Sequence, residues 1–154
     1  MTTLSGSITR KSAAHVLLNV VPPQRAGAIA RSAGVVTAND RWCDVDWRTM
    51  ESKAVKGVHV LGDATLSAPA MPKSGSMANN HAKIAAAGII ELLNGRTPSP
   101  LQIINTCYSF VDDKNVIHVA SVHAYDTNDK TMLPGAAWVS SPLSPVRRPR
   151  PTAE

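Results

Sequence analysis

Residues Gly57 to Lys83 read GVHVLGDATLSAPAMPKSGSMANNHAK, and the parsing of this passage decides how the rest of the chain is organised. Val58 to Leu61 is a short apolar run, read as a buried strand halted by Gly62-Asp63. A loop rich in Ala, Ser and Pro follows, from Ala64 to Pro72. From about Ser74 to Leu93, Met77, Ile84, Gly88, Ile89 and Leu92 recur at helical spacing with alanines between them. This predicts a helix with one closely packing face, ended by Asn94-Gly95. A strand that passes through Gly-Asp into a helix start has a chemical logic. Gly62 has no side chain, so a ligand can approach the backbone closely. Asp63, at the carboxyl end of the strand, can accept hydrogen bonds from ligand hydroxyls. The helix is expected to begin near Pro72, a residue suited to a first turn. Its unpaired amides and positive dipole end favour negative charge beside them. Gly-Asp is also common in plain turns, so the whole passage carries this reading, not the dipeptide.

Upstream, Val16 to Val21 (VLLNVV) is an apolar run ended by Pro22-Pro23, as for a buried strand leaving a sheet. Gln24 to Ala33 is expected to be a short helix stopped by Gly34. Trp42 to Val45 reads as a brief strand, and Asp46 to Thr49 as the start of a turn. Downstream, Ile103 to Val111 and Asn115 to Val122 alternate as two strands joined by a turn at Asp112-Asp113-Lys114. Beyond Pro134 the chain is rich in Pro, Ser and Arg and reads as a loose tail. No internal repeat is visible.

The chain has 154 residues, 44% hydrophobic and 18% charged, enough for a globular domain with a real core. One Phe and two Tyr leave alanine, valine and isoleucine to do most of the packing. The formal charge of +5 does not read as a nucleic-acid surface. Arg147, Arg148 and Arg150 sit in the Pro-rich tail, and the other cations are scattered among carboxylates with no reading motif. Cys43 and Cys107 are too few for a disulfide scaffold and wrongly spaced for zinc, so no metal is expected. No apolar run approaches the roughly 20 residues that span a bilayer. The stretch from Met1 to His15 does not read as an export signal, so the chain as it stands reads as cytoplasmic.

A reduced flavin suits the Gly62 to Ser74 arrangement, because negative charge develops at one edge of its ring. Here the sequence resembles a known family. The strand with Gly62-Asp63 resembles the second flavin-contact motif of two-dinucleotide-binding flavoproteins, in which the Asp binds the ribityl chain. Met71-Pro72-Lys73-Ser74 with Ala78-Asn79 is similar to the flavin-binding subunit of flavocytochrome c sulfide dehydrogenases. So are Asn19 to Gly27 (NVVPPQRAG), Trp42 to Asp46 (WCDVD) and, most tellingly, Asn105-Thr106-Cys107-Tyr108-Ser109. The resemblance runs from about Val16 to Tyr125.

It implies an α/β to α+β architecture, part of a two-dinucleotide-binding flavoprotein fold. Residues 1–50 would end the middle nucleotide-like domain, and residues 51–95 would form the returning FAD-binding segment. Residues 96–133 would be the family's C-terminal domain, and residues 134–154 the tail. It also implies FAD as cofactor, contacted by Gly62, Asp63, Pro72, Lys73 and Ser74. Lys73 reads equally as a cation near the pyrimidine edge of the flavin or as a solvated helix-start lysine. A lone cysteine is ordinarily a small buried hydrophobe. The resemblance instead makes Cys107 one half of a redox-active disulfide attacked by sulfide. A Cys43–Cys107 bond is not excluded by the sequence. His59 reads as a packed core or edge residue, and His81 as a helix-flank residue without chemistry.

The family's Gly-x-Gly-x-x-Gly pyrophosphate loop does not occur in this sequence. The chain is therefore expected to supply only the C-terminal part of the enzyme and to bind FAD weakly alone. The missing N-terminal half and a c-type cytochrome subunit would be its partners, in the periplasm for the family. Two alternatives stand beside this reading: a fragment of another flavin-dependent disulfide or sulfide:quinone oxidoreductase, and a non-catalytic remnant. The tail from Pro142 has too many prolines for the amphipathic segment a quinone enzyme needs.

Overall fold

The computed structural model of the chain describes residues 20–139 and the strand pair 144–145, with residues 136–139 and 144–145 described as backbone alone. In chain order the elements are α1 (Ala28–Ser32), β1 (Val45–Asp46), β2 (Glu51–Ser52), α2 (Gly75–Leu93), β3 (Ile103–Phe110), β4 (Asn115–Asp126), β5 (Thr131–Val139) and β6 (Ser144–Pro145). Helix and small antiparallel sheets are mixed, an α+β arrangement.

Of the apolar run Val16 to Val21, the first four residues lie outside the described residues. Val20 and Val21 are exposed and pair with no strand among the described residues. Helix α1 is five residues long rather than the ten predicted. The preceding backbone is engaged elsewhere: the Ala26 N–H donates to Arg41 O at 2.7 Å, and Arg41 Nε donates to Gln24 O at 2.9 Å. Gly34 does end the helix. Its φ of +70° lets its own N–H reach Arg31 O and the Val35 N–H reach Ala30 O.

Strands β1 and β2 form a short hairpin, with Val45 opposite Ser52. Its turn closes when the Thr49 and Met50 amides both donate to Asp46 O. The Arg48 guanidinium pairs with the Asp46 carboxylate at 2.8 Å and lies over the Tyr125 ring, joining the hairpin to β4. Val58 to Leu61 is extended beside β2 but, among the described residues, forms only one bridge, Glu51 to His59. The Ser52 N–H donates to Val58 O and the Val60 N–H to Met50 O. The predicted buried strand is thus a half-covered edge: Val60 is buried and Leu61 exposed, because β2 alone flanks it among the described residues.

Helix α2 starts one residue past its cap. The Ser74 hydroxyl accepts the Met77 N–H at 3.1 Å, satisfying one of the orphan amides of the first turn. Pro72 stands two residues before that cap, so it does not occupy the first turn as predicted. The buried face is Met77, His81, Ile84, Ala85 and Gly88, with Leu92 exposed. Gly88 packs directly on the hairpin turn: a Cβ there would lie 2.9 Å from Arg48 O and from Thr49 Cα. Gly95, with φ +69°, ends α2 by the same double closure seen after α1.

The larger sheet runs β3-β4-β5, antiparallel throughout, with β6 also on β4. Ile103 pairs with His123 and Asn105 with Ser121, and all four are buried. Asp112 Oδ1 accepts the Lys114 and Asn115 amides and closes the predicted turn. The strand after it extends to Asp126, four residues past the predicted end. The loose tail predicted beyond Pro134 is corrected by β5, which runs through Pro134 to Val139. Pro134 is tolerated there because β5 pairs only with β4 among the described residues, and the register shifts between Val122 and His123, where Gly135 is the extra residue. Residues 146–154 lie outside the described residues. One core joins the pieces, with Cys43, Val45, Trp47, Met50, Met71, Met77, Ile84, Ile103 and Met132 buried together.

Candidate functional site

Gly62 opens a single 3-10 turn (Gly62–Ala64) that sits against the first turn of α2. Its φ is +65°, and a Cβ on it would meet Ala78 Cβ at 3.2 Å. The missing side chain therefore lets the turn seat on the helix. Its N–H donates to His81 Nδ1 at 3.1 Å. His81 is only 2% exposed, not a flank residue, and packs edge-on to Trp47. Burial, reinforced by the positive charge of Lys73, pushes its pKa down to about 4. Because Nδ1 accepts, the neutral ring carries its proton on Nε2, which has no partner among the described residues.

Lys73 ties this region together. Its Nζ donates to Asp63 O and to Thr65 O, both at 2.7 Å, and stands 3.9 Å from the centre of the Trp42 ring. Burial against these groups holds its pKa below the usual lysine range. Asp63 is exposed. Between them opens a cleft of about 330 Å³, lined chiefly by Gln24, Arg25, Gly27, Trp42, Asp63 and Lys73.

Ser74 belongs to a second cluster. Its hydroxyl donates to Asn105 Oδ1 at 2.6 Å, and the same oxygen receives the Cys107 thiol at 3.4 Å. Two further bonds seat α2 on β3: Thr106 N–H to Ser76 Oγ, and Asn80 Nδ2 to Ile104 O. The Gly75 and Ser76 amides have no hydrogen-bond partner among the described residues. Cys43 and Cys107 are both free thiols. Cys43 is fully buried, and burial pushes its thiol pKa up.

The sequence-predicted residues thus fall into two groups around the amino end of α2. Asp63 and Lys73 line the cleft, Gly62 lies beside it with its N–H on His81, and Ser74 and Cys107 meet through Asn105. Pro72 is half-buried between the groups, and neither it nor Cys107 lines the cleft.

Residues 99–151, about a third of the chain, match the family model described as flavocytochrome c sulphide dehydrogenase, flavin-binding. This stretch is part of that flavin-binding region. The match includes β3, β4, β5 and the Asn105-to-Ser109 motif, and it indicates a flavin cofactor. The residues upstream of the flavin-binding region carry donor and acceptor types that suit this cofactor. The two unpaired amides at the start of α2 suit an electron-rich ring edge, and the exposed Asp63 carboxylate suits hydroxyl groups.

Sequence reasoning assigns Asn105 no role of its own and sets His81 on the helix flank, whereas the structure buries both. Asn105 occupies an inward position between Ile103 and Cys107 on β3. That alternation was the available signal.

Proposed function

We propose that this chain is the C-terminal part of an FAD-dependent oxidoreductase that oxidises sulfide and delivers the electrons to a c-type cytochrome. The observation that carries the reading is the Cys107 thiol, which lies within the matched flavin-binding region and is joined through Asn105 to the cap of α2. The finer architecture would be the returning FAD segment and C-terminal domain of a two-dinucleotide-binding flavoprotein. A nucleotide-binding half carrying the pyrophosphate loop and the second cysteine would complete it. Asp63 would accept hydrogen bonds from the ribityl hydroxyls, and the Gly75 and Ser76 amides would face the pyrimidine edge. Lys73, fixed by two carbonyls, would add positive charge nearby.

In the oxidised enzyme Cys107 would share a disulfide with that second cysteine. Hydrosulfide attacks one sulfur, the S–S bond breaks, and the products are a cysteine persulfide and a cysteine thiolate. Loss of the outer sulfur at the zero oxidation state leaves both cysteines reduced, and re-forming their disulfide releases two electrons and two protons; a bound flavin would supply the acceptor for that electron pair, with the cytochrome next in line.

The test is Cys107→Ser in the assembled holoenzyme. Sulfide-dependent flavin reduction should vanish while FAD remains bound, as read from the visible absorption spectrum. Turnover at the wild-type rate would remove Cys107 from the reaction.

A further inference from the structure

We propose that Asn105 is a positioning residue whose single amide oxygen, shared between the Ser74 hydroxyl and the Cys107 thiol, sets the thiol in register with the amino end of α2. This rests on the reading of Cys107 as the reacting sulfur, and goes beyond it by naming what aims that sulfur.

Asn105 is 1% exposed on the inner face of β3, a place where an amide is costly unless its hydrogen bonds are made. Its neighbours along that face are Ile103 and Cys107, and its cross-strand partner is Ser121. Oδ1 accepts Ser74 Oγ at 2.6 Å and Cys107 Sγ at 3.4 Å, so both lone pairs are engaged. Turning the amide over would give the thiol no strong acceptor and would force the Ser74 hydroxyl to accept instead of donate. The observed orientation keeps both groups as donors to one oxygen. Ser74 is fixed in turn, because its oxygen also accepts the Met77 N–H. The chain of contacts runs from the α2 backbone through Ser74 and Asn105 to sulfur, and hydrogen bonds that share an acceptor influence one another. Cys107 thus responds to Ser74 through Asn105.

The experiment uses the full chain without flavin or sulfide, so its outcome is independent of the proposed reaction. The S–H stretch of Cys107 is followed by Raman spectroscopy, with buried Cys43 as internal reference. Alkylation of Cys107 by iodoacetamide is followed by peptide mapping. Asn105→Ala should raise the Cys107 stretching frequency toward that of a free thiol and change its alkylation rate several-fold, with Cys43 unaltered. Asn105→Asp, which keeps an acceptor oxygen in place, should restore the lower frequency. Ser74→Ala should lower the frequency further, because the thiol then has the oxygen to itself. An unmoved Cys107 band and rate in Asn105→Ala with native circular dichroism would overturn the proposal. Should that variant not fold, an unmoved band in Ser74→Ala would do the same.

Discussion

At the scale of single residues, His81 gives the molecule an acid-sensitive point. Its folded-state pKa of about 4 lies below the roughly 6.5 of an unfolded histidine. Between these values the unfolded chain binds the extra proton, so the contribution of His81 is complete above about pH 6.5. It falls as the pH drops toward 4, by about 3 kcal/mol in all. Burial lowers the pKa of His123 as well, and its effect has the same sign. Urea unfolding between pH 7 and pH 4 should show this decline. His81→Gln, whose amide oxygen can still take the Gly62 N–H, should flatten it; an undiminished slope in that variant would assign the effect elsewhere. His81 did not stand out in the sequence, and Asn105 was marked only by the alternation of β3, because a polar residue at an inward position adds nothing to hydrophobic periodicity. Asp63 is singled out by the Gly-Asp strand end, and Lys73 reads equally as a flavin-edge cation or a solvated lysine. That Lys73 clasps the main chain, with two carbonyls and an indole as partners, was not legible, since sequence does not disclose which carbonyls fold back on a side chain.

At the scale of elements, α2 is the piece that both sheets depend on. Gly88 faces backbone atoms of the β1–β2 turn that cannot swing aside. Gly88→Ala should therefore destabilise by about 1–3 kcal/mol from overpacking, outweighing the gain of about 1 kcal/mol in helix propensity. Gly75→Ala, with open space around it, is the matched control and should not destabilise. Denaturant midpoints decide; a higher midpoint for Gly88→Ala would mean that α2 can slide away from the hairpin. Helix α2 and the β3–β4 hairpin were readable because Ser74, Gly95 and Asp112 punctuate them by local chemistry. Strand β5 was hidden by Pro134-Gly135, which reads as a stop and is instead accommodated at a bulge on an edge. Val58 to Leu61 shows the opposite case: an apolar run looks like a strand whether or not a full-length neighbour lies beside it.

At the scale of the whole molecule, much apolar surface remains uncovered. Ile90, Leu92 and Leu93 are exposed on α2, as are Ile104, Tyr108, Phe110 and Val111 along β3 and its turn. Surfaces of this kind on one chain favour association. Light scattering should show an apparent mass that rises with protein concentration, and a constant monomer mass over a hundredfold range would contradict this. The seating of α2 across β3 was not visible in local pattern, since it depends on contacts between residues some thirty positions apart, such as Ser74 with Asn105 and Ser76 with Thr106. The Lys73 clasp has one more consequence. A flexible lysine that has to be frozen to meet an anion loses about 2 kcal/mol of rotamer entropy in doing so. Here that loss is met when the chain folds, so a charged guest entering the cleft finds its cation already immobilised.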